Sequence, residues 1–311
     1  MIRMLKKIMK LLYDSDFRFR YFQSKGLYDY MPDRKYLKRA FQVNLHQELD
    51  LDNPRTFNEK LQWLKLNNRR PEYSMMVDKE LAKIYVANKI GSEYIIPTIG
   101  VWNRFEDIDF KELPDQFVMK CTHDSGNPII CRNKAQLNIK ASRCYLNKCL
   151  KRNFFFHSRE WPYKNLVPKI IVEQYMYDSE TELENLTDYK FFCFNGEPKY
   201  VYTVHDREKG HDYALHRFYD IEWNLQNMDL DHRGEQNISE DKPSQLDKMI
   251  EIASILSKGI PFVRVDLYQA KDKVYFGEMT FYPRSGWEPF YPEEWDLKLG
   301  KMINLDICDM S

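Results

Sequence analysis

Apolar residues change their spacing near Pro114. Before it they recur every three to four positions, the period that lines one face of a helix. Leu5, Ile8, Met9 and Leu12 share such a face, with Lys6, Lys7 and Lys10 elsewhere. Thr56-Phe-Asn-Glu59 has the form of a capping box and predicts a helix that turns Leu61, Leu64 and Trp63 to a core and ends before Pro71. Asp78 to Ala87 predicts a second helix, closed before Gly91, and Tyr94 to Pro97 and Ile99 to Trp102 read as short strands.

Beyond Pro114 the β-rich runs dominate. Phe117 to Cys121 predicts a strand, Thr122 to Pro128 a polar turn, and Ile129 to Cys131 a resumed strand. Residues 134–152 read as helical, and Lys169 to Met176 as a strand followed by an acidic loop from Asp178 to Asp188. Tyr189 to Phe194 and Lys199 to Val204 flank Asn195-Gly-Glu-Pro198, which predicts a hairpin. Asp229 to Ser244 is polar and loop-like, and Leu246 to Lys258 is an amphipathic helix with Gly259 at its C-terminal end. Two apolar strands then follow, Phe262 to Tyr268 and Val274 onward, joined by a polar turn from Gln269 to Lys273. Helices first and mixed strands later make an α+β chain without internal repeats. The boundaries expected are 1–30 for a basic amphipathic segment, 31–115 for a helical and mixed domain, then 116–172 and 173–311.

Composition narrows the functions. The 311 residues carry 47 basic and 47 acidic side chains, a net charge of zero, which argues against a non-specific nucleic-acid binder. The six cysteines have no Cys-x-x-Cys spacing and no histidine at zinc-site spacing, so reduced thiols in a cytoplasmic setting are expected. No apolar run is long enough for a transmembrane helix. Residues 1–13 lack the apolar core of a signal peptide, and their basic amphipathic pattern allows contact with the inner face of a membrane.

Charges inside apolar strands are the candidate chemistry. Arg264 and Asp266 lie two apart in one strand and so point to one face, while Glu278 faces them from the next strand. Two carboxylates on paired strands suit a hard cation such as Mg2+, which favours oxygen ligands and substrate phosphates. The bland reading is an ion-pair set with Arg264. Lys120 ends a strand beside Ser125-Gly126, a turn whose N–H groups could cradle an anion. Lys190 interrupts an aromatic run and needs a partner or an open cleft. Glu173 and Gln174 interrupt another strand. The histidines are scattered, so nucleophilic catalysis is not indicated.

In order and spacing these motifs resemble the ATP-grasp superfamily, and more closely the TupA-like ATP-grasp proteins of bacterial surface-polysaccharide clusters. The runs that carry the resemblance are Thr56 to Trp63, Asp78-Lys79, Phe117 to Gly126, Ile171 to Tyr175, Asp188 to Phe192, Val263 to Tyr268 and Tyr275 to Pro283, within residues 30 to 295. The resemblance implies an ATP-grasp fold, with two lobes whose antiparallel sheets grip ATP. The small lobe with the phosphate loop would span 116–172, and the large lobe with the Mg2+ site 173–311.

The family's pattern also assigns roles. Lys120 and Lys190 would contact phosphates, the Ser125-Gly126 loop would fold over them, and backbone from Glu173 and Gln174 to Met176 would meet adenine. Asp266 and Glu278 would hold Mg2+, and Arg264 would stabilise the transferring phosphoryl group. The implied activity is an ATP-dependent ligase that joins a small-molecule or glycan carboxylate acceptor to an amine donor through an acyl phosphate. Two departures stand out. The loop has one glycine, with Asp124 beside it, and Thr280 replaces a common Asn metal ligand, although Glu-x-Thr is frequent among TupA-like proteins. The alternative is a glycosyltransferase using a nucleotide-sugar and a divalent metal, but the Lys-loop-Lys order fits a triphosphate better.

Overall fold

A computed structural model describes residues 2–176, 187–205, 215–230 and 239–310. The acidic run after Tyr175 lies largely outside these residues, as does the middle of the polar stretch that starts at Asp229.

The first third is helical: α1 (Ile2–Tyr13), α2 (Ser15–Gln23), α3 (Asp33–Leu45), α4 (Phe57–Asn67), α5 (Glu72–Val77) and α6 (Leu81–Ile90). The capping box of α4 is complete. The Glu59 backbone N–H donates to the Thr56 hydroxyl at 3.2 Å, and the Thr56 N–H donates to the Glu59 carboxylate at 3.0 Å. The helix expected from Asp78 begins at Leu81, because the Asp78 carboxylate accepts from the N–H groups of Glu80 and Leu81 and acts as its cap. Tyr94 to Pro97 forms no strand. Ser92–Tyr94 is a 3-10 turn, and only Ile95 bridges another strand, at Phe276.

Four strands form a small antiparallel sheet: β1 (Thr98–Trp102), β2 (Phe117–Cys121), β3 (Ile129–Cys131) and β4 (Ile170–Gln174), in the order β1-β4-β2-β3. Phe117, Met119, Ile170 and Val172 turn inward onto Leu146 and Cys149 of α7 (Ile139–Cys149) and onto Phe105. Strand alternation sends Lys120 and Glu173 to the opposite face. The short α8 (Phe155–Ser158) follows α7.

The larger sheet, β7-β6-β5-β8-β9, is also antiparallel. Its strands are β5 (Asp188–Phe194), β6 (Glu197–His205), β7 (Leu215–Asp220), β8 (Phe262–Ala270) and β9 (Lys273–Thr280). Asn195 and Gly196, with φ of 53° and 89°, close the β5–β6 hairpin in the two-residue form that matches strand twist. One face packs on α9 (Leu246–Ser257), where the Cys193 thiol meets the Ala253 carbonyl. The other face is divided. Phe192, Phe194 and Phe262 meet Phe57 of α4 in edge and stacked contacts, while Lys190, Arg264 and Asp266 continue the same face beyond them. Register sets this division: Phe194 lies opposite Phe262, Phe192 opposite Arg264, and Lys190 opposite Asp266.

α10 (Glu294–Met302) packs on α4, and the Asp296 carboxylate accepts from the Asn58 N–H at 2.9 Å. α2 and α3 close a third core around Phe19, Tyr36 and Phe41. All six cysteines are free thiols. Among the described residues no helix is long and apolar enough to cross a membrane.

Candidate functional site

The charged half of the large sheet is one connected network. Arg264 grips Asp266 through two nitrogens, Nε to Oδ1 at 2.6 Å and Nη2 to Oδ2 at 2.7 Å. The same Nη2 donates to Glu278 at 2.8 Å and to the Thr280 hydroxyl at 3.1 Å, while Nη1 donates to the Tyr202 hydroxyl at 3.2 Å. Lys190 bridges Asp188 at 2.6 Å and Asp266. Asp266 and Glu278 are direct cross-strand partners, so the carboxylates sit side by side as alternation predicts. Their surroundings differ sharply: Asp266 is 1% exposed and the Glu278 side chain 46%.

The small sheet supplies the facing charges. Glu173 is held by Lys120 at 2.5 Å and by Lys83 of α6, which also donates to the Ile96 carbonyl and the Thr98 hydroxyl. Lys79 enters from the turn before α6, where its N–H donates to the Thr122 carbonyl at 3.0 Å. Its Nζ donates to the Asp124 carbonyl at 2.5 Å and so ties down the polar loop. Within that loop Ser125 is exposed and Gly126 lies against the Tyr145 ring hydroxyl, which donates to Asn127. The Asp124 carboxylate turns to Arg152, 3.7 Å away.

Electrostatics tie the two sheets together. Burial works against the charge of Glu278, but Arg264, Lys190, Lys79 and the Thr280 hydroxyl outweigh it and hold its pKa at about 2. Burial likewise opposes the Glu173 charge, yet Lys120 and Lys83 keep it below the usual carboxylate range. Lys190 is raised despite burial, because Asp188 and Asp266 favour its cationic form. Lys79 is lowered by burial and by Lys120, against the pull of Glu278, Asp124 and Glu173. Lys79 therefore sits where groups of both sheets act on it.

For a hard cation the fit is uneven. Both Asp266 oxygens are occupied by Arg264 and Lys190, whereas the half-exposed Glu278 takes Arg264 and the Thr280 hydroxyl on the single oxygen Oε1. Among the described residues no group of three or more His, Cys, Asp or Glu converges as a metal cage. An Mg2+ ion at Glu278 would complete its shell with water and phosphate oxygens, its usual habit.

A sequence profile for TupA-like ATP-grasp proteins matches residues 59–304. The chain belongs to the TupA-like ATP-grasp family. No curated protein matches it significantly. Solved structures similar to this ATP-grasp chain include the ATP-grasp ligase PsnB with its minimal precursor, 11% identical, covering 72% of this chain and 58% of PsnB, with a TM-score of 0.36. D-alanine–D-alanine ligase from Helicobacter pylori is 13% identical, over 82% of this chain and 68% of the ligase, TM-score 0.43. A Chryseobacterium gregarium RiPP-associated ATP-grasp ligase, bound to ADP and to leader and core peptide, is 12% identical over 92% and 73%, TM-score 0.40. The chain thus spans 58% of the length of PsnB.

Of the residues singled out from sequence, Lys120, Glu173, Lys190, Arg264, Asp266 and Glu278 lie in this linked network of the ATP-grasp chain. Gln174 is exposed and Met176 half-buried at the end of β4. Sequence reasoning missed Lys83 and Tyr202, gave Asp188 no role, and for Asp78-Lys79 weighed a place in the cleft against a helix cap and favoured the cap. Asp78 is that cap, while Lys79 turns into the cleft. Two signals were present: Lys83 is one helical turn beyond Lys79, and Asp188 is two strand positions before Lys190, on the same face.

Proposed function

We propose that the cleft between the sheets binds ATP with Mg2+ and that the protein joins a carboxylate to an amine. The observation that carries this reading is Lys79, which feels Glu278 of the large sheet, beside Arg264 and Lys190, and also Glu173 of the small sheet, which Lys83 and Lys120 hold. Such a cluster suits a polyanion that brings its own cation. Family membership supports the same reading.

In this account Lys120 and Lys190 release their carboxylates to bind phosphate oxygens. Ser125 and Gly126 cover the phosphates, and backbone from Glu173 to Met176, with exposed Gln174, borders the adenine. Glu278, joined by Asp266 once Lys190 turns to phosphate, would hold a metal ion, whose charge would neutralise the terminal phosphates. A carboxylate oxygen of the acceptor attacks the terminal phosphorus, the bond to the bridging oxygen breaks, and ADP leaves. Arg264 stabilises the transferring phosphoryl group, since phosphoryl transfer asks mainly for positioning and charge compensation. The amine nitrogen then attacks the acyl carbon, loses a proton, and phosphate leaves.

The acceptor class that the family's setting supports is a uronic-acid or amino-acid carboxylate of a surface-polysaccharide precursor, modified in the cytoplasm. The aromatic content does not add to this, because many of its rings are buried in the cores. The sequence holds four Asp-x-Asp pairs; the fourth, Asp229 and Asp231, lies partly outside the described residues, and the other three are engaged elsewhere and lend the glycosyltransferase reading no support. Asp14 caps α2 and Asp16 pairs with Arg39. Asp50 holds a turn and Asp52 pairs with Arg34. Asp107 pairs with Arg104, and Asp109 accepts from the Lys111 N–H.

The test is release of ADP and phosphate from ATP across a panel of uronic acids and amino acids, each with and without amines. The expected result is ADP formation that needs an acid and an amine together. Release of UDP from UDP-sugars, with ATP left intact, would contradict the proposal.

A further inference from the structure

α1 is attached to the protein by its polar side. Lys7 Nζ lies 4.4 Å from the ring centre of Tyr21, and Lys10 Nζ 5.6 Å from that of Phe17, both on α2. Arg18 closes the arrangement by donating to the carbonyls of Leu11 and Leu12, each at 3.0 Å. The apolar side faces outward, with Leu5 55%, Ile8 44%, Met9 58% and Leu12 64% exposed, and Tyr13 beside them at 84%. A helix of a soluble domain normally turns its apolar stripe inward. An outward stripe this continuous is the mark of a surface that something else covers.

We infer that α1 lies in the interface of an anionic lipid bilayer, with Leu5, Ile8, Met9 and Leu12 among the acyl chains and its lysines at headgroup level. Charge selects this occupant. α1 contains no acidic residue and carries Lys6, Lys7 and Lys10, all exposed, in a chain whose net charge is zero. Anionic headgroups complement that edge, and apolar burial with basic flanks is the usual pattern of in-plane helices. A second copy is disfavoured, because packing the same face on itself brings two sets of lysines together. One face of a helix of about 18 Å also falls short of the roughly 1,200 Å² that a stable interface buries. That length is too short to span a hydrocarbon layer of about 30 Å, so the helix lies flat.

The test is flotation of the full chain with vesicles of phosphatidylglycerol and phosphatidylcholine, against phosphatidylcholine alone. The expected result is binding to the anionic vesicles only, lost at high salt because screening removes the headgroup attraction. The double variant Ile8→Asp, Leu12→Asp should lose at least about tenfold of the vesicle-bound fraction, with its thermal midpoint and ATP affinity unchanged. Lys6→Glu with Lys10→Glu should also weaken binding. Failure of the native chain to float with anionic vesicles, or full binding by the double Asp variant, would overturn the inference. So would a concentration-dependent dimer in lipid-free solution that the double Asp variant abolishes.

Discussion

Asp266 and Glu278 are paired across two strands, yet the cost of removing them differs. Asp266 is buried between Arg264 and Lys190, so its loss strands two buried cations. Breaking such a pair typically costs about 3–5 kcal/mol, and Asp266→Asn would mix folding with function. Glu278 is half-exposed and gives the cleaner variant. Glu278→Gln should lower the thermal midpoint, because the charge that Arg264 holds is lost, yet leave a cooperative fold, while ATP turnover falls by at least about a hundredfold, the scale of one lost electrostatic contact in a transition state. Turnover at the wild-type level would remove Glu278 from the site. The pKa of about 2 carries a pH prediction. A depressed carboxylate contributes fully above its unfolded value and loses that contribution only as pH falls through its folded value, so Glu278 places no acid limb on turnover between about pH 5 and 9. At this scale Lys190, Arg264 and Asp266 were legible because a charge inside an apolar strand demands a partner. Lys79 was left between cap and cleft, and Lys83 went unassigned, because a lysine in a helical stretch looks like a solvated face until the fold buries it.

Elements with local signals came through in sequence. The capping box of α4, the Asn-Gly hairpin and the glycine after α9 each act within a few residues, and each is present. β7 was not foreseen. Its run, Leu215 to Asp220, puts His216 and Arg217 ahead of Phe218 and Tyr219, and it is ordered by pairing along its length with β6, with Tyr219 also bridging Leu225. Tertiary contact decides such a strand, not its own pattern. The packing of α10 on α4 was equally hidden. A Cβ added to Gly300 would lie 2.3 Å from the Arg55 carbonyl oxygen and 2.7 Å from the Phe57 nitrogen, so the two backbones touch. Gly300→Ala should therefore destabilise the protein by about 1–3 kcal/mol, the usual cost of overpacking, as read from the urea midpoint. An unchanged midpoint would show that this contact opens freely.

At the scale of the whole molecule, each of the two antiparallel sheets has one charged face, and Lys79, before α6, feels charges of both. The α+β class follows from the change of period at Pro114. The place of Lys79 follows from contacts remote in sequence, such as Ile95 with Phe276 and Lys79 with Thr122 and Asp124, which no local pattern announces. On this reading the charged groups of the two sheets together grip the phosphates of ATP. Calorimetric titration of ATP with Mg2+ tests it most directly. One-to-one binding to the native chain is expected, weakened at least about tenfold in each of Lys79→Ala and Lys120→Ala, the scale of one lost charge-assisted contact. Native chain that gives no binding heat, or both variants binding as tightly as the native chain, would contradict it.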